Sequence, residues 1–161
     1  MIEQPIKVRT GTPEDIDPMM AVALAACEEN AVTRADPTKL LRDIWPALHR
    51  DHGIVGIIGQ EQIEAAILLR IEPFWYGADD EPCLLERAIF VHPDFRGAKQ
   101  GRARILCEWA KGAALSLELP LIIGVLSTIR TEAKMRLYQR QFGEPAGVYF
   151  IFNGKTGGAM A

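Results

Sequence analysis

The chain has 161 residues, a length that fits one compact domain with a proper core. Hydrophobic residues make up 48% and charged residues 24%, which excludes a disordered polar chain. The formal net charge of -3 gives no electrostatic reason to expect nucleic acid or an anionic membrane as partner.

In chain order, Ile6 to Arg9 alternates apolar and charged residues, as a short half-buried strand does. Thr12-Pro13, with Asp15 placed to cap back, and Asp17-Pro18 are helix-start signals, because proline at the first helical position gives up no hydrogen bond. Met19 to Glu29 then reads as an alanine-rich helix. Asp36-Pro37 opens a second, with Leu40, Leu41, Ile44, Trp45 and Leu48 at helical spacing. Pro46 inside that pattern predicts a kink or break, and His52-Gly53 the exit. Ile54 to Gly59 and Ile63 to Ile71 predict a hairpin, and Cys83 to Val91 a third strand beside it. A helix is predicted over Lys99 to Leu117, with Ile105, Leu106, Trp109, Ala110 and Ala113 on one face. Leu121 to Leu126 suits a buried parallel strand. Thr131 to Gln141 predicts a helix stopped by Gly143, and Val148 to Phe152 a last strand. The unit from Cys83 to Leu126 implies a right-handed parallel crossover.

One domain over 1–161 is expected, its Gly-rich tail 154–161 flexible. The three cysteines (Cys27, Cys83, Cys107) are scattered, which suits idle thiols in a reducing compartment. His49, His52 and His92 form no metal motif, so no metal is expected. The N-terminus is too polar for a signal peptide, and no apolar run approaches membrane-spanning length. A soluble cytoplasmic protein without a membrane partner is the expectation.

The stretch from Ile89 to Ala103 carries the most chemistry. A buried strand, Ile89-Phe90-Val91, runs into the turn His92-Pro93-Asp94-Phe95. The loop Arg96-Gly97-Ala98-Lys99-Gln100-Gly101-Arg102 then opens a helix. Unpaired N–H groups at a helix start, aligned with its dipole, make an anion site. Gly97 and Gly101 would let a ligand approach the backbone, and Arg96, Lys99 and Arg102 would add positive charge. The spacing matches neither a Walker A loop nor a Rossmann fingerprint. The basic run lacks interleaved aromatic residues, so nucleic acid is not expected.

The pattern V-x-P-x-x-R-G before a helix resembles the acetyl-CoA motif of the GNAT superfamily of N-acetyltransferases, R/Q-x-x-G-x-G/A. Lys99 stands where the middle glycine usually does. Downstream, Ala133 to Gly143 is similar to the family's A-x-x-L-Y-x-x-x-G-F, with Phe142 and Gly143 in reverse order. The resemblance covers about Ile6 to Phe152. It implies an α+β fold: a mixed, mostly antiparallel sheet with one parallel strand pair, flanked by about four helices.

It also implies acetyl-CoA as co-substrate and direct attack by a primary amine in a ternary complex. Carried over residue by residue, it makes Tyr138 the donor to the departing thiolate and Glu86, placed by strand alternation on one face with Ala88 and Phe90, the base. Ile89, Phe90 and Val91 would hold the pantetheine arm through backbone groups. The amides from Arg96 through Gly97, Ala98, Lys99, Gln100 and Gly101 to Arg102 would hold the pyrophosphate. Glu28-Glu29-Asn30 would wall the acceptor site and attract a cationic amine or simply form a solvated helix end, and Trp75 and Tyr76 would line the site or serve as packing. The alternative reading is a non-catalytic module of the same fold that binds coenzyme A or a protein. A homodimer is open, since many relatives pair through the C-terminal strands.

Overall fold

The computed structural model describes residues 5–30, 32–97, 100–126 and 130–152. Five strands form one sheet in the order β1-β2-β3-β4-β5: β1 (Arg9–Thr10), β2 (Gly53–Ile58), β3 (Ala65–Pro73), β4 (Pro82–Val91) and β5 (Leu121–Ile122). The first four are mutually antiparallel, and β5 runs parallel to β4. The helices are α1 (Ile16–Asn30), α2 (Pro37–Leu48), α3 (Arg102–Leu117) and α4 (Thr131–Phe142). This is the mixed sheet with four helices that the sequence led us to expect. None of the described helices is long and apolar enough to cross a membrane.

Burial divides into two cores, one on each face of the sheet. Met19, Ile44 and Leu48 from α1 and α2 pack with Val55, Ile57 and Leu68. Leu106, Ala110 and Ala114 from α3 pack with Ile67, Leu69 and Leu84 on the other face. The near-continuous apolar runs of β2 and β3 follow from this double covering, which no solvated sheet face would tolerate. On the α3 face, the Trp109 indole lies directly on the backbone of Gly56. A Cβ there would sit 2.7 Å from Trp109 Cζ3. Gly56→Ala should therefore destabilise the fold by about 1–3 kcal/mol in denaturant titrations, with Trp109→Leu in the same chain restoring part of the loss.

Local signals explain the helix boundaries, with adjustments. Arg9 holds Asp15 through two bonds of 2.8 Å, and the Thr12 N–H donates to Asp15 Oδ2 at 2.9 Å. That short turn feeds straight into α1 at Ile16, so Asp17-Pro18 lies in the first turn rather than before the helix. Asp36 caps α2 by accepting from Thr38 N at 2.9 Å. Pro46 does not break α2: it sits in the last turn, and its carbonyl accepts from His49 and Asp51 as the chain leaves the helix. The exit comes at Leu48, earlier than His52-Gly53.

Two further expectations are corrected. Val148 to Phe152 forms no strand, and Tyr149, Phe150 and Phe152 are exposed. β5 spans only two residues, so its outer side offers almost no ladder for this segment to join. In β4, Arg87 is an extra residue: Leu69 pairs with Glu86, but Leu68 pairs with Ala88. This bulge breaks the period-two alternation. Glu86 therefore shares the α3 face with Leu84 and Ile89, while Ala88 and Phe90 face α1 and α2.

Candidate active site

The β4–β5 pair is the origin of the site. It is bonded only at Leu84–Leu121 and Leu85–Ile122. Beyond that point the strands separate, and Gly124 N–H donates to the Glu86 side chain at 3.3 Å instead of to the β4 backbone. The outer edge of β4 from Glu86 onward has no strand partner among the described residues.

Two cavities open along this gap. The larger, of about 430 Å³, lies between α1, β4 and the chain after β5, with Tyr149, Phe150 and Ile151 as a further wall. The smaller, of about 240 Å³, lies between β4, the Phe95–Gly97 turn and α4. Glu29, Ile89, Phe90, Lys134 and Tyr138 border both. A ligand entering from each side would meet its counterpart at these five residues.

Glu86 is partly buried on the wall of the larger cavity. Burial pushes its carboxyl pKa up to about 7, against the Gly124 bond and the charges of Lys134 and Arg87. A carboxylate poised there can take a proton near neutral pH. Tyr138 is 9% exposed, its ring edge-on to Phe142 at 5.7 Å. Burial, with Glu86 and Cys107 adding to it, drives the phenol well above its ordinary range, so it stays protonated. The buried Cys107 thiol, behind Glu86 on α3, is pushed up to about 12 by burial and is inert as a nucleophile. Among the described residues no cluster of His, Cys, Asp or Glu could hold a metal.

The basic loop behaves differently from its composition. Arg96 turns inward, donating from Nε to the Val91 carbonyl at 2.7 Å and pairing with Glu29 at 2.5 Å. Its guanidinium also sits over the Phe90 ring. Arg102 pairs with Glu64 at 2.6 Å and stacks on Phe95. The two side chains thus tie this stretch to α1 and to Glu64 just ahead of β3, and their charge faces carboxylates. Gly97 adopts φ +74°, a left-handed conformation that favours glycine, whereas the Gly101 backbone suits any residue. Gln100 and Gly101 lead into α3; Ala98 and Lys99 lie outside the described residues. The start of the 16-residue α3 still presents unpaired N–H groups, the first helical bond running from Ile105 N to Gly101 O.

Ile89, Phe90, Val91, Arg96, Gly97 and Tyr138 all border the smaller cavity, and Glu86 the larger. Trp75 and Tyr76 border neither. They stack with Phe74 at the β3–β4 turn, 86% and 73% exposed. Of Glu28-Glu29-Asn30, Glu29 and Asn30 reach the larger cavity, but Glu29 is engaged by Arg96. Lys134 had no role in the sequence reading, although its spacing of four from Tyr138 puts both on one helix face.

No protein-family model matches the chain, and no curated protein matches it in sequence. Solved structures do. A predicted acetyltransferase from Clostridium acetobutylicum, solved with acetyl-CoA, superposes at TM-score 0.69 with 13% identity, covering 92% of this chain and 96% of that one. Aminoglycoside N-acetyltransferase AAC(6')-Iy in complex with CoA gives TM-score 0.68 and 15% identity, covering 96% and 99%. Ribosomal-protein-alanine N-acetyltransferase from Brucella melitensis biovar Abortus 2308 gives 0.64 and 11%, covering 92% and 99%. With its splayed β4–β5 pair and its helices on both faces, this chain has the fold of the GNAT acetyltransferases.

Proposed function

We propose that the chain is an N-acetyltransferase that moves an acetyl group from acetyl-CoA to a primary amine of a small molecule, both bound at once. The observation that carries this reading is the pair of cavities meeting at Glu29, Ile89, Phe90, Lys134 and Tyr138 within the β4–β5 gap. Solved relatives of the fold that hold CoA or acetyl-CoA support the donor.

On this reading the open edge of β4 at Ile89, Phe90 and Val91 holds the donor's arm by backbone hydrogen bonds. The loop from Arg96 to Arg102 and the start of α3 hold its pyrophosphate through N–H groups and the helix dipole. Arg96 and Arg102 act by fixing the loop, since their charges already face Glu29 and Glu64. Bound acetyl-CoA supplies an activated acyl group. Glu86 accepts a proton from the incoming ammonium, since only a neutral amine is nucleophilic. Tyr138 donates a hydrogen bond where negative charge gathers on sulfur.

The test has two parts. Acetyl-CoA should raise the melting temperature, by an increment that grows with its concentration. Thiol release should then appear when amines, polyamines, amino acids and peptides are supplied. A melting shift with no thiol release on any of them would point to a coenzyme A-binding module; no shift at all would refute the donor assignment.

A further inference from the structure

A phenol that acts on one developing charge has to be held still, and the helix that carries Tyr138 has little to hold it. We propose that Lys111 is a positioning residue for Tyr138: from α3 it grips the C-terminal end of α4 and, through Phe142, fixes the phenol ring in the β4–β5 gap. This rests on the acetyltransferase reading above.

The need for such a residue follows from how α4 is seated. Of its 12 residues, Tyr138 is the only buried one. Among the described residues, neither of the two cores on the sheet faces includes a residue of α4. A helix in a folded protein owes most of its stability to a packed apolar face. With so narrow a face, the position of α4 depends on particular contacts at its ends and along its flank.

The C-terminal end supplies them. The last carbonyls of a helix have no partner within it and carry the negative end of its dipole. Gly143 N–H takes one of them, the Gln139 carbonyl, at 2.9 Å. Lys111, half-buried on α3, takes another: its Nζ donates to the Gln141 carbonyl at 3.1 Å and to Gln141 Oε1 at 3.3 Å. The same Nζ lies 5.9 Å from the centre of the Phe142 ring, within cation–π range. Phe142 follows Tyr138 by one helical turn and meets its ring edge-on at 5.7 Å. Lys111 is therefore linked to the Tyr138 ring by two successive contacts, and to the backbone of the same turn by a third. Cys107, one turn before Lys111 on α3, lies near enough to Tyr138 to act on its phenol. The stretch of α3 from Cys107 to Lys111 is thus the surface on which the end of α4 rests.

This arrangement bears on one step of the reaction. The hydroxyl of Tyr138 is useful only within hydrogen-bond reach of the sulfur, so a small displacement of its ring is costly. The donor's arm and pyrophosphate are assigned to β4, the loop after it and the start of α3, which Lys111 does not touch in any of these contacts. Loss of Lys111 should therefore appear in kcat and leave donor binding nearly as it was.

The experiment measures steady-state thiol release, on an amine that the wild type turns over, for the wild type, Lys111→Met, Tyr138→Phe and the double variant. Lys111→Met should lower kcat by roughly tenfold, with the KM for acetyl-CoA within about twofold of the wild-type value. In the Tyr138→Phe background the same substitution should change kcat by less than about twofold, because the hydroxyl it positions is gone. Phe142→Leu keeps Lys111 and removes the ring between the two residues. It should reproduce the loss, and it carries the comparison if Lys111→Met melts below the assay temperature. An undiminished kcat in folded Lys111→Met, a loss confined to the KM for acetyl-CoA, or an equal loss of kcat with and without the Tyr138 hydroxyl overturns the proposal while leaving the acetyltransferase reading intact. Absence of thiol release by the wild type on every amine overturns the acetyltransferase reading, and this role of Lys111 with it.

Discussion

Glu86→Gln should lower kcat/KM by about 10²–10⁴-fold and remove the rise of activity with pH near 7. The geometry gives the reason for both. The Glu86 pKa is raised to about 7, so the carboxylate that the proposed mechanism uses to accept the amine's proton accumulates only as pH climbs through that value. Glutamine is isosteric and can still accept from Gly124 N–H through its amide oxygen, so the variant isolates the loss of the titrating group. A pH–rate profile of the variant that keeps the limb near 7 would show that another group is the base.

The same substitution has a signed effect on stability. The folded-state pKa of Glu86 lies above its ordinary 4.5, so the folded chain binds more protons than the unfolded one between about 4.5 and about 7. Stability contributed by this group is therefore full below pH 4.5 and is lost as pH rises through 7. Above pH 7 an ionised Glu86 costs at most about 3 kcal/mol, and glutamine removes that cost. Melting curves should show the variant gaining on the wild type at pH 8 and matching it near pH 4.5. A group that weakens the fold at working pH is what stability exchanged for activity would look like if Glu86 is the proposed base.

How much of this was legible in the sequence depends on the range over which each feature is determined. The helices, the β2–β3 hairpin and the β4–α3–β5 crossover follow from periodicity and from proline, aspartate and glycine punctuation, all local signals. Tyr138 and Glu86 were found through a motif and a strand position, and the structure brings both to the same gap. What escaped depends on distant partners. Arg96 reads as a cation for an anionic ligand until Glu29, 67 positions away, is seen to neutralise it. Arg102 and Glu64 repeat this over 38 positions. The face of Glu86 escaped because one extra residue, Arg87, shifts the register against β3, and nothing in Cys83 to Val91 marks a bulge. Val148 to Phe152 has strand composition, yet a strand needs an edge to pair with, and β5 is too short to supply it. Lys134 went unnoticed because its significance lies in two cavities that exist only after α4 docks beside β4.

Tyr138→Phe should lower kcat by about 10²-fold while leaving the KM for acetyl-CoA nearly unchanged. Phenylalanine keeps the edge-on contact with Phe142 and the buried ring, so only the hydroxyl is lost. The direction of the phenol pKa defines what that hydroxyl can do. Burial, Glu86 and Cys107 all raise it, so complete proton transfer from Tyr138 to a thiolate is uphill. In the proposed mechanism its contribution is a fixed hydrogen bond to the sulfur as charge develops, which would act on the transition state more than on donor binding. This has a consequence for the pH profile. Tyr138 keeps its proton across the neutral and mildly alkaline range, so the wild-type rate should rise through about pH 7 and then stay level. The phenylalanine variant should show the same midpoint with a lower plateau, since Tyr138 is not among the groups that set the Glu86 pKa. Steady-state rates from pH 5.5 to 9 on both proteins measure this directly. An unchanged plateau with a turned-over acceptor would remove Tyr138 from the chemistry, and a shifted midpoint would mean that Tyr138 and Glu86 titrate as one unit.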